Sequence, residues 1–210
     1  MTPHIEKDAV VLFQGDSITD AGRNREDPND LGRGYALFTA AWFRANHPEL
    51  NVKFLNRGIG GNTIRDLDAR WEADCIELKP TWLSVLVGIN DAAGRYHHDR
   101  VISIEEFEGT YRRLLQKAVD TSVKGIVLIE PFVLPTDPSR VQWREDLDPK
   151  IEAVRRLARD FEAPLIPTDG LFAQVSARTS LEYWMPDGVH PTPAGHALMA
   201  QAWLRAVGAF

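Results

Sequence analysis

The sequence predicts an α/β protein of three layers, in which helices cover both faces of a five-stranded parallel sheet. Five short apolar segments with the character of buried strands lie at residues 9–14, 52–56, 82–87, 125–130 and 164–167. A longer amphipathic segment follows each of them, and this alternation is typical of a parallel sheet with right-handed crossovers. The economical strand order is 2-1-3-4-5, as in flavodoxin-like folds.

The helices are predicted from the spacing of apolar residues and from the residues at their ends. A helix over 35–46 stops before Pro48, and capping boxes open two further helices at Thr63 and Ser103. These two helices are expected to run to about residues 78 and 121.

Proline at the first helical position marks the last two helices. Asp148 and Pro149 predict a helix over 148–160, and Thr192 and Pro193 predict one over 192–207. The remaining longer stretches are expected to be irregular, and most of them follow predicted strands on the carboxyl side of the sheet: 22–34, 92–101, 134–147 and 178–187.

Composition restricts the functional classes. The chain has 210 residues, which suits one domain over 1–210, and its net charge of −6 argues against a nucleic-acid surface. The single cysteine, Cys75, can form no internal disulfide and is expected to be a buried apolar residue. The first residues lack the pattern of a signal peptide, and no apolar run is long enough for a membrane span, so the expected location is cytoplasmic.

Polar and glycine residues gather where the predicted strands end. Ser17 follows the first strand, a glycine-rich loop at 56–63 follows the second, and Asn90 follows the third. Because these three strands are adjacent in the predicted order, their loops meet at one edge of the sheet, where open α/β sheets bind ligands. Asp187 lies three residues before His190. This spacing lets the carboxylate hold one ring nitrogen while the other accepts a serine proton.

Each of these features, taken alone, has a purely structural explanation. Asp16 and Ser17 can cap a helix, the glycine-rich loop can be a simple turn or a phosphate cradle, and Asn90 can be a turn residue. His190 can be a buried histidine with satisfied hydrogen bonds. Their joint occurrence at consecutive strand ends, in this order, favours a catalytic constellation.

Four blocks of sequence resemble the SGNH (GDSL-type) hydrolases. They are Gly-Asp-Ser-Ile-Thr at 15–19, Ile-Gly-Gly-Asn-Thr at 59–63, Gly-Ile-Asn-Asp at 88–91 and Asp-Gly-Val-His-Pro at 187–191. The resemblance implies the SGNH hydrolase fold, with Ser17 as nucleophile, His190 as base and Asp187 as the residue that orients it. It also implies an oxyanion hole made of the backbone amides of Ser17 and Gly61 and the side chain of Asn90. Gly60 stands where relatives usually have serine, so a more flexible loop is expected.

A finer resemblance is to intracellular acetylxylan, or xylo-oligosaccharide, esterases. It rests on short segments at 31–35, 47–50, 62–71 and 195–196. It implies that the substrate is an acetylated short sugar chain and that the chain forms a homo-oligomer. No cofactor is expected. Other short-chain carboxylesterases, thioesterases and lysophospholipases with this fold are alternatives, and a sugar-binding module without activity is a further one.

Three residues near the motifs are candidates for substrate binding. Tyr183 and Trp184 lie just before Asp187, and aromatic faces at such positions can stack on sugar rings. Asp16 is interpreted as an acceptor that holds the turn and, next to the nucleophile, as a candidate substrate contact. Trp143 and Tyr96 fit packing as well as they fit sugar binding. The only metal-like cluster is His-His-Asp at 97–99, whose adjacent histidines diverge, so no metal is expected.

Overall fold

A parallel five-stranded sheet forms the centre of the computed structural model, which describes residues 4–97 and 100–210. The strand order is β2-β1-β3-β4-β5, as the sequence predicts, and every neighbouring pair is parallel. The strands are β1 Val10–Gly15, β2 Lys53–Asn56, β3 Trp82–Leu86, β4 Gly125–Ile129 and β5 Leu165–Ile166.

Helices and short 3-10 turns connect the strands. The helices are α1 Ser17–Asp20, α2 Tyr35–Asn46, α3 Ile64–Asp74, α4 Ile89–His97, α5 Ile104–Val119, α6 Pro138–Gln142, α7 Arg144–Asp160, α8 Thr168–Ser176, α9 Leu181–Trp184 and α10 Pro193–Ala206. Two 3-10 turns precede β2 and β3, at Pro48–Leu50 and Ile76–Leu78.

Two apolar cores, one on each face of the sheet, make the three layers. Because side chains alternate along a strand, Val11 and Phe13 pack on one face of β1, and Leu12 packs on the other. The first core includes buried residues of α2 and α10, and the second includes those of α3, α5 and α7. The predicted α/β/α sandwich is therefore confirmed.

Several helix ends are those that the sequence predicts. At the start of α3, Thr63 and Asp66 form the expected capping box. The side chain of Ser103 accepts the backbone N–H of Glu106 at the start of α5, and that of Thr192 accepts the N–H of Gly195 at the start of α10. Cys75 ends α3 and is buried, as expected.

The helix predicted over 148–160 was placed too late in the chain. α7 begins at Arg144, and Pro149 lies inside it. Pro149 is the sixth residue of α7 and has no N–H to donate, so one intrahelical hydrogen bond is lost there. Arg144 forms an ion pair with Asp148 one turn later, at 2.7 Å.

Three of the predicted irregular stretches also contain helices. α4 occupies most of 92–101, α6 and the start of α7 fall within 134–147, and α9 falls within 178–187. α8, which directly follows the last strand, was not predicted, and that strand is reduced from four residues to two. Short elements of this kind are fixed by tertiary packing, since four to nine residues carry little periodicity of their own. The stretch 22–34 is irregular, as expected.

Candidate active site

A sharp turn at the end of β1 presents Ser17 at the first position of α1. Gly15 makes the turn possible, because its φ is +156° and a Cβ there would lie 2.3 Å from the carbonyl oxygen of Leu86. The side chain of Asp16 caps α1 by accepting the N–H of Ile18 at 3.0 Å. The serine hydroxyl is thus held at the carboxyl edge of the sheet.

Asp16 itself is closed off from substrate. Its side chain is fully buried, and one of its carboxylate oxygens has no hydrogen-bond partner among the described residues. Burial is the main cause that raises the pKa of this carboxyl to about 7, against the lowering effect of the Ile18 N–H. The prediction that Asp16 contacts substrate is therefore wrong, and its position fits the acceptor that holds the turn.

The structure brings Ser17, His190 and Asp187 into a single line of hydrogen bonds. The hydroxyl oxygen of Ser17 lies 2.9 Å from Nε2 of His190, and Nδ1 of His190 lies 2.6 Å from Oδ2 of Asp187. Burial alone raises the pKa of Asp187, but hydrogen bonds from the side chain and backbone of His190 outweigh it, so this pKa is lowered. Because an ionised carboxylate can only accept, Nδ1 carries the proton, and Nε2 is free to accept from Ser17.

The turn from Asp187 to His190 is anchored to the segment after β4. The other carboxylate oxygen of Asp187 accepts the backbone N–H groups of Val189 and His190, at 2.9 and 2.8 Å. The carbonyl of Gly188 accepts the N–H of Leu134 at 2.8 Å. Gly188 has φ +79°, and a Cβ at this position would lie 2.5 Å from the Leu134 carbonyl oxygen, so only glycine fits. The hydrogen bond with Leu134 fixes the turn to the segment after β4, and the turn brings His190 within hydrogen-bond distance of Ser17.

Three N–H donors are available at this edge of the sheet, and those of Gly61 and Asn90 belong to residues that line one cleft together with His190. The backbone N–H groups of Ser17 and Gly61 have no acceptor among the hydrogen bonds of the described residues. Nδ2 of Asn90 donates one hydrogen to the carbonyl of Asn62 at 3.1 Å, which leaves its second hydrogen available. An arrangement of this kind can bind the negative oxygen that forms when an ester carbonyl is attacked.

The glycines of the loop have different reasons for being glycine. Gly61 has φ +82°, a left-handed conformation that side chains disfavour, although a Cβ there would contact nothing within 4 Å. A Cβ on Gly60 would lie 3.7 Å from the Cβ of Ser17, an ordinary contact, so serine would fit at this position. The Gly60 N–H donates to Asp20 at 3.2 Å, and the loop is therefore held in place at this amide.

A cleft of about 350 Å³ opens beside His190 and Asn90. Arg140 and Trp143 line its far side. Arg140 donates from Nε to the carbonyl of Asp187 at 3.0 Å, and its guanidinium lies 4.0 Å from the centre of the Trp143 ring. Arg140 was not predicted as a site residue, since nothing in its local sequence indicates a contact with a segment 47 residues later.

Tyr183 and Trp184 do not line this cleft. Their backbone carbonyls accept from Thr192 at the start of α10, and the indole N–H of Trp184 donates to Thr179 at 2.6 Å. Trp143 does line the cleft, but it is only 4% exposed, so packing is its main role.

Within the part of the chain that the structure describes, no group of three His, Cys, Asp or Glu side chains is placed to hold a metal ion. Of the His-His-Asp cluster at 97–99, residues 98 and 99 lie outside the described residues. Among the helices of 4–97 and 100–210, none has the length and apolar character needed to cross a membrane.

The fold and this arrangement of side chains define a carboxylic ester hydrolase of the SGNH class. Residues 13–198 match the model of the GDSL-like Lipase/Acylhydrolase family, and the chain belongs to that family. Among curated proteins it is 36% identical over 206 residues to an acetylxylan esterase from Geobacillus stearothermophilus, a match that covers 94% of this chain and 93% of the relative.

Solved structures give the same result. The chain resembles the crystal structure of an acetylxylan esterase from Geobacillus stearothermophilus with a TM-score of 0.88 and 36% identity, covering 98% of this chain and 96% of the other. It also resembles a GDSL-like lipase from Parabacteroides merdae, with a TM-score of 0.92, 36% identity and 98% of both chains covered. Three further structures of the Geobacillus enzyme are called catalytic mutants, and in each a serine, a histidine or an aspartate is replaced by alanine.

Proposed function

We propose that this esterase removes acetyl groups from xylo-oligosaccharides or related acetylated sugars, with Ser17 as nucleophile. The observation that carries the proposal is the line of hydrogen bonds from Ser17 through His190 to Asp187, at 2.9 and 2.6 Å. The same three residue types are replaced in the catalytic mutants of the similar Geobacillus enzyme.

In the first half of the reaction, Ser17 attacks the ester carbonyl while Nε2 of His190 takes the hydroxyl proton. Asp187 keeps the imidazole in the tautomer that can accept this proton and stabilises the imidazolium that results. His190 then returns the proton to the departing sugar oxygen, which leaves an acetyl group on Ser17. In the second half, His190 takes a proton from a water molecule that attacks the acetyl carbonyl. The bond to the Ser17 oxygen then breaks, this oxygen takes the proton back from His190, and acetic acid leaves and ionises to acetate.

The backbone amides of Ser17 and Gly61 and the side chain of Asn90 stabilise the tetrahedral intermediate. Donors that are oriented before the reaction begins need no reorganisation when the charge develops. One such donor typically contributes about 3–4 kcal/mol to lowering the barrier.

The substrate class is supported by the relatives and by the shape of the site. The cleft of about 350 Å³ opens to solvent beside His190, whose side chain is 54% exposed, so a bulky alcohol such as a sugar can approach the serine. The curated relative that covers nearly the whole chain is an acetylxylan esterase.

A panel of esters tests the proposal. Acetylated xylo-oligosaccharides and p-nitrophenyl acetate should be hydrolysed, p-nitrophenyl octanoate should react much more slowly, and Ser17→Ala should abolish activity on all of them. A preference for long acyl chains would favour a lipase or thioesterase, and hydrolysis that survives Ser17→Ala would refute the assignment of the nucleophile. No hydrolysis by the unaltered protein would favour a sugar-binding module.

The homo-oligomeric assembly implied by the family resemblance stays a prediction. Light scattering coupled to gel filtration measures it directly, and a mass of 23.6 kDa, that of one chain, would contradict it.

A further inference from the structure

The loop that supplies the Gly61 amide receives a contact from outside the four sequence blocks. The carboxylate of Asp20, at the end of α1, accepts the N–H of Gly60 at 3.2 Å. Its other oxygen accepts the N–H of Arg23 at 3.1 Å, and the guanidinium of Arg25 pairs with the oxygen that holds Gly60, at 2.5 Å. Asp20 is only 6% exposed, so these bonds form with little competition from water.

The chain around Asp20 and the loop fit together closely. A Cβ on Gly58 would lie 2.3 Å from the backbone nitrogen of Asp20, so only glycine allows this approach. Nε of Arg23 donates to the carbonyl of Gly58 at 3.0 Å. Residues 20–25 therefore hold the loop at two points, and Asp20 holds the one that adjoins Gly61.

The two consecutive glycines explain why such a hold matters. Two consecutive glycines have more backbone freedom than any other pair of residue types, and Gly61 adopts φ +82°. The peptide between them sets the direction of the Gly61 N–H. A donor stabilises the oxyanion only if it is oriented beforehand, because reorientation during the reaction consumes the electrostatic gain.

We propose that Asp20 is a positioning residue for the oxyanion hole. By accepting the Gly60 N–H it holds the Ile59–Gly60 peptide, and it thereby anchors the turn in which the next peptide directs the Gly61 N–H at the reacting oxygen. Asp20 contacts neither Ser17 nor substrate in this scheme and acts through the Gly60 N–H alone. The proposal rests on the proposed function, since it assumes that the Gly61 amide binds the oxyanion.

Asp30, in the irregular stretch 22–34 that follows α1, offers a matched control. Its carboxylate also accepts two backbone N–H groups, those of Asn24 at 2.6 Å and Gly32 at 3.0 Å, but within the described part of the chain it has no hydrogen bond with residues 58–63. Asp20→Ala and Asp30→Ala therefore remove equal numbers of backbone hydrogen bonds, and only the first releases Gly60.

Asp20→Asn should rescue the defect. The asparagine amide has one acceptor oxygen. The Gly60 N–H and the Arg25 guanidinium are donors on the same side, so the oxygen should face them and the amide nitrogen should face the Arg23 N–H. The hydrogen bond to Gly60 is then kept.

The experiment measures kcat and KM for p-nitrophenyl acetate, the inhibition constant of methylboronic acid, and hydrogen–deuterium exchange over residues 58–63. Methylboronic acid adds to the serine and places an oxygen where the oxyanion forms. Asp20→Ala should lower kcat by about tenfold or more and weaken boronate inhibition by a similar factor, with KM within about twofold. Exchange over 58–63 should quicken, Asp20→Asn should restore all three quantities, and Asp30→Ala should leave them unchanged.

Equal effects of Asp20→Ala and Asp30→Ala would overturn the proposal, and so would a loss of kcat without a loss of boronate affinity. If Asp20→Ala does not fold, Asp20→Leu takes its place, because it fills a similar volume and has no acceptor for the Gly60 N–H. Unchanged exchange and kcat in Asp20→Leu would also overturn the proposal. The exchange measurement does not require esterase activity, so it separates a failure of this proposal from a failure of the proposed function.

Discussion

Replacing Asp187 by asparagine tests the proposed tautomer of His190 with almost no change in shape. In the structure, one carboxylate oxygen of Asp187 accepts two backbone N–H groups, and the other accepts Nδ1–H of His190 at 2.6 Å. The variant's amide must put its single oxygen on one of these sides. Turning the oxygen to the imidazole would break two backbone hydrogen bonds at about 1–3 kcal/mol each, so that orientation should make up only a few per cent of the molecules.

The amide nitrogen of Asp187→Asn therefore faces the imidazole and donates to Nδ1. The imidazole hydrogen moves to Nε2, which then cannot accept the proton of Ser17. We expect kcat/KM for p-nitrophenyl acetate to fall by about 10³- to 10⁴-fold near pH 7, equivalent to roughly 4–5.5 kcal/mol in the barrier.

Asp137→Asn is the matched control for this substitution, since Asp137 caps α6 with its oxygen and lies outside the line of hydrogen bonds to Ser17. It should keep kcat/KM within about twofold of the unaltered protein. Circular dichroism should show that both variants are folded. If Asp187→Asn retained more than a tenth of the activity, the proposed role of Asp187 in fixing the tautomer would be refuted.

Three further predictions concern the oxyanion hole, the turn at the nucleophile and a buried histidine. Asn90→Ala should lower kcat by about 10²- to 10³-fold, as the loss of one oxyanion donor does, and a fall of less than tenfold in steady-state assays would exclude Asn90 from the hole. Gly15→Ala should destabilise the protein by more than about 2 kcal/mol in urea unfolding, because its Cβ would lie 2.3 Å from the Leu86 carbonyl oxygen; unchanged stability would contradict this packing. His196 accepts the Tyr35 N–H at 3.1 Å, and burial lowers its pKa from 6.5 to about 4. The unfolded chain therefore takes up a proton first as the pH falls, and His196 should cost about 3 kcal/mol of unfolding free energy between pH 6.5 and 4. His196→Gln should lack this dependence, and parallel pH curves for the two proteins would refute it.

Buried carboxyls complicate the absolute pH dependence, which is why the last prediction is a difference between two proteins. Burial is the main cause that raises the pKa values of both Asp16 and Asp91 to about 7. As the pH falls, these carboxyls take up a proton in the folded protein at a higher pH than in the unfolded chain. Their contribution to stability therefore grows as the pH falls, which is opposite to the effect of His196. Because Asp16 and Asp91 are present in both proteins, their contribution is absent from the difference between the unaltered protein and His196→Gln.

The alternation of apolar segments was enough to predict the sheet, because a strand buried on both faces must be apolar throughout. Local caps were also predictable, as at Thr63 and Thr192, since the donor and acceptor lie within four residues of each other. Pro149 misled the prediction of α7, because its preference for the first helical position gave way to packing and ion pairing of the preceding turn. The helix α8 was missed because its nine residues carry little periodicity of their own.

The residues of the candidate site also fall into those that the sequence could predict and those that only the structure could place. Ser17, Asn90 and the Asp187–His190 pair could be read from short motifs whose residues are neighbours in the chain. The burial of Asp16, which closes it off from substrate, could not be predicted, because it depends on the elements that cover the end of β1. Tyr183 and Trp184 lie four and three residues before Asp187, yet they do not line the cleft, and their backbone carbonyls accept hydrogen bonds from Thr192.

The sequence by itself determined the alternation of strands and helices and the chemical groups available at the carboxyl ends of the strands, because periodicity and short motifs are local properties of the chain. Only the tertiary structure decided which of those groups meet. The 2.9 Å contact between Ser17 and His190 joins residues 173 positions apart, and the contact between Gly60 and Asp20 joins residues 40 positions apart. Contacts of this kind depend on how the loops pack on the finished sheet, and no local pattern encodes them.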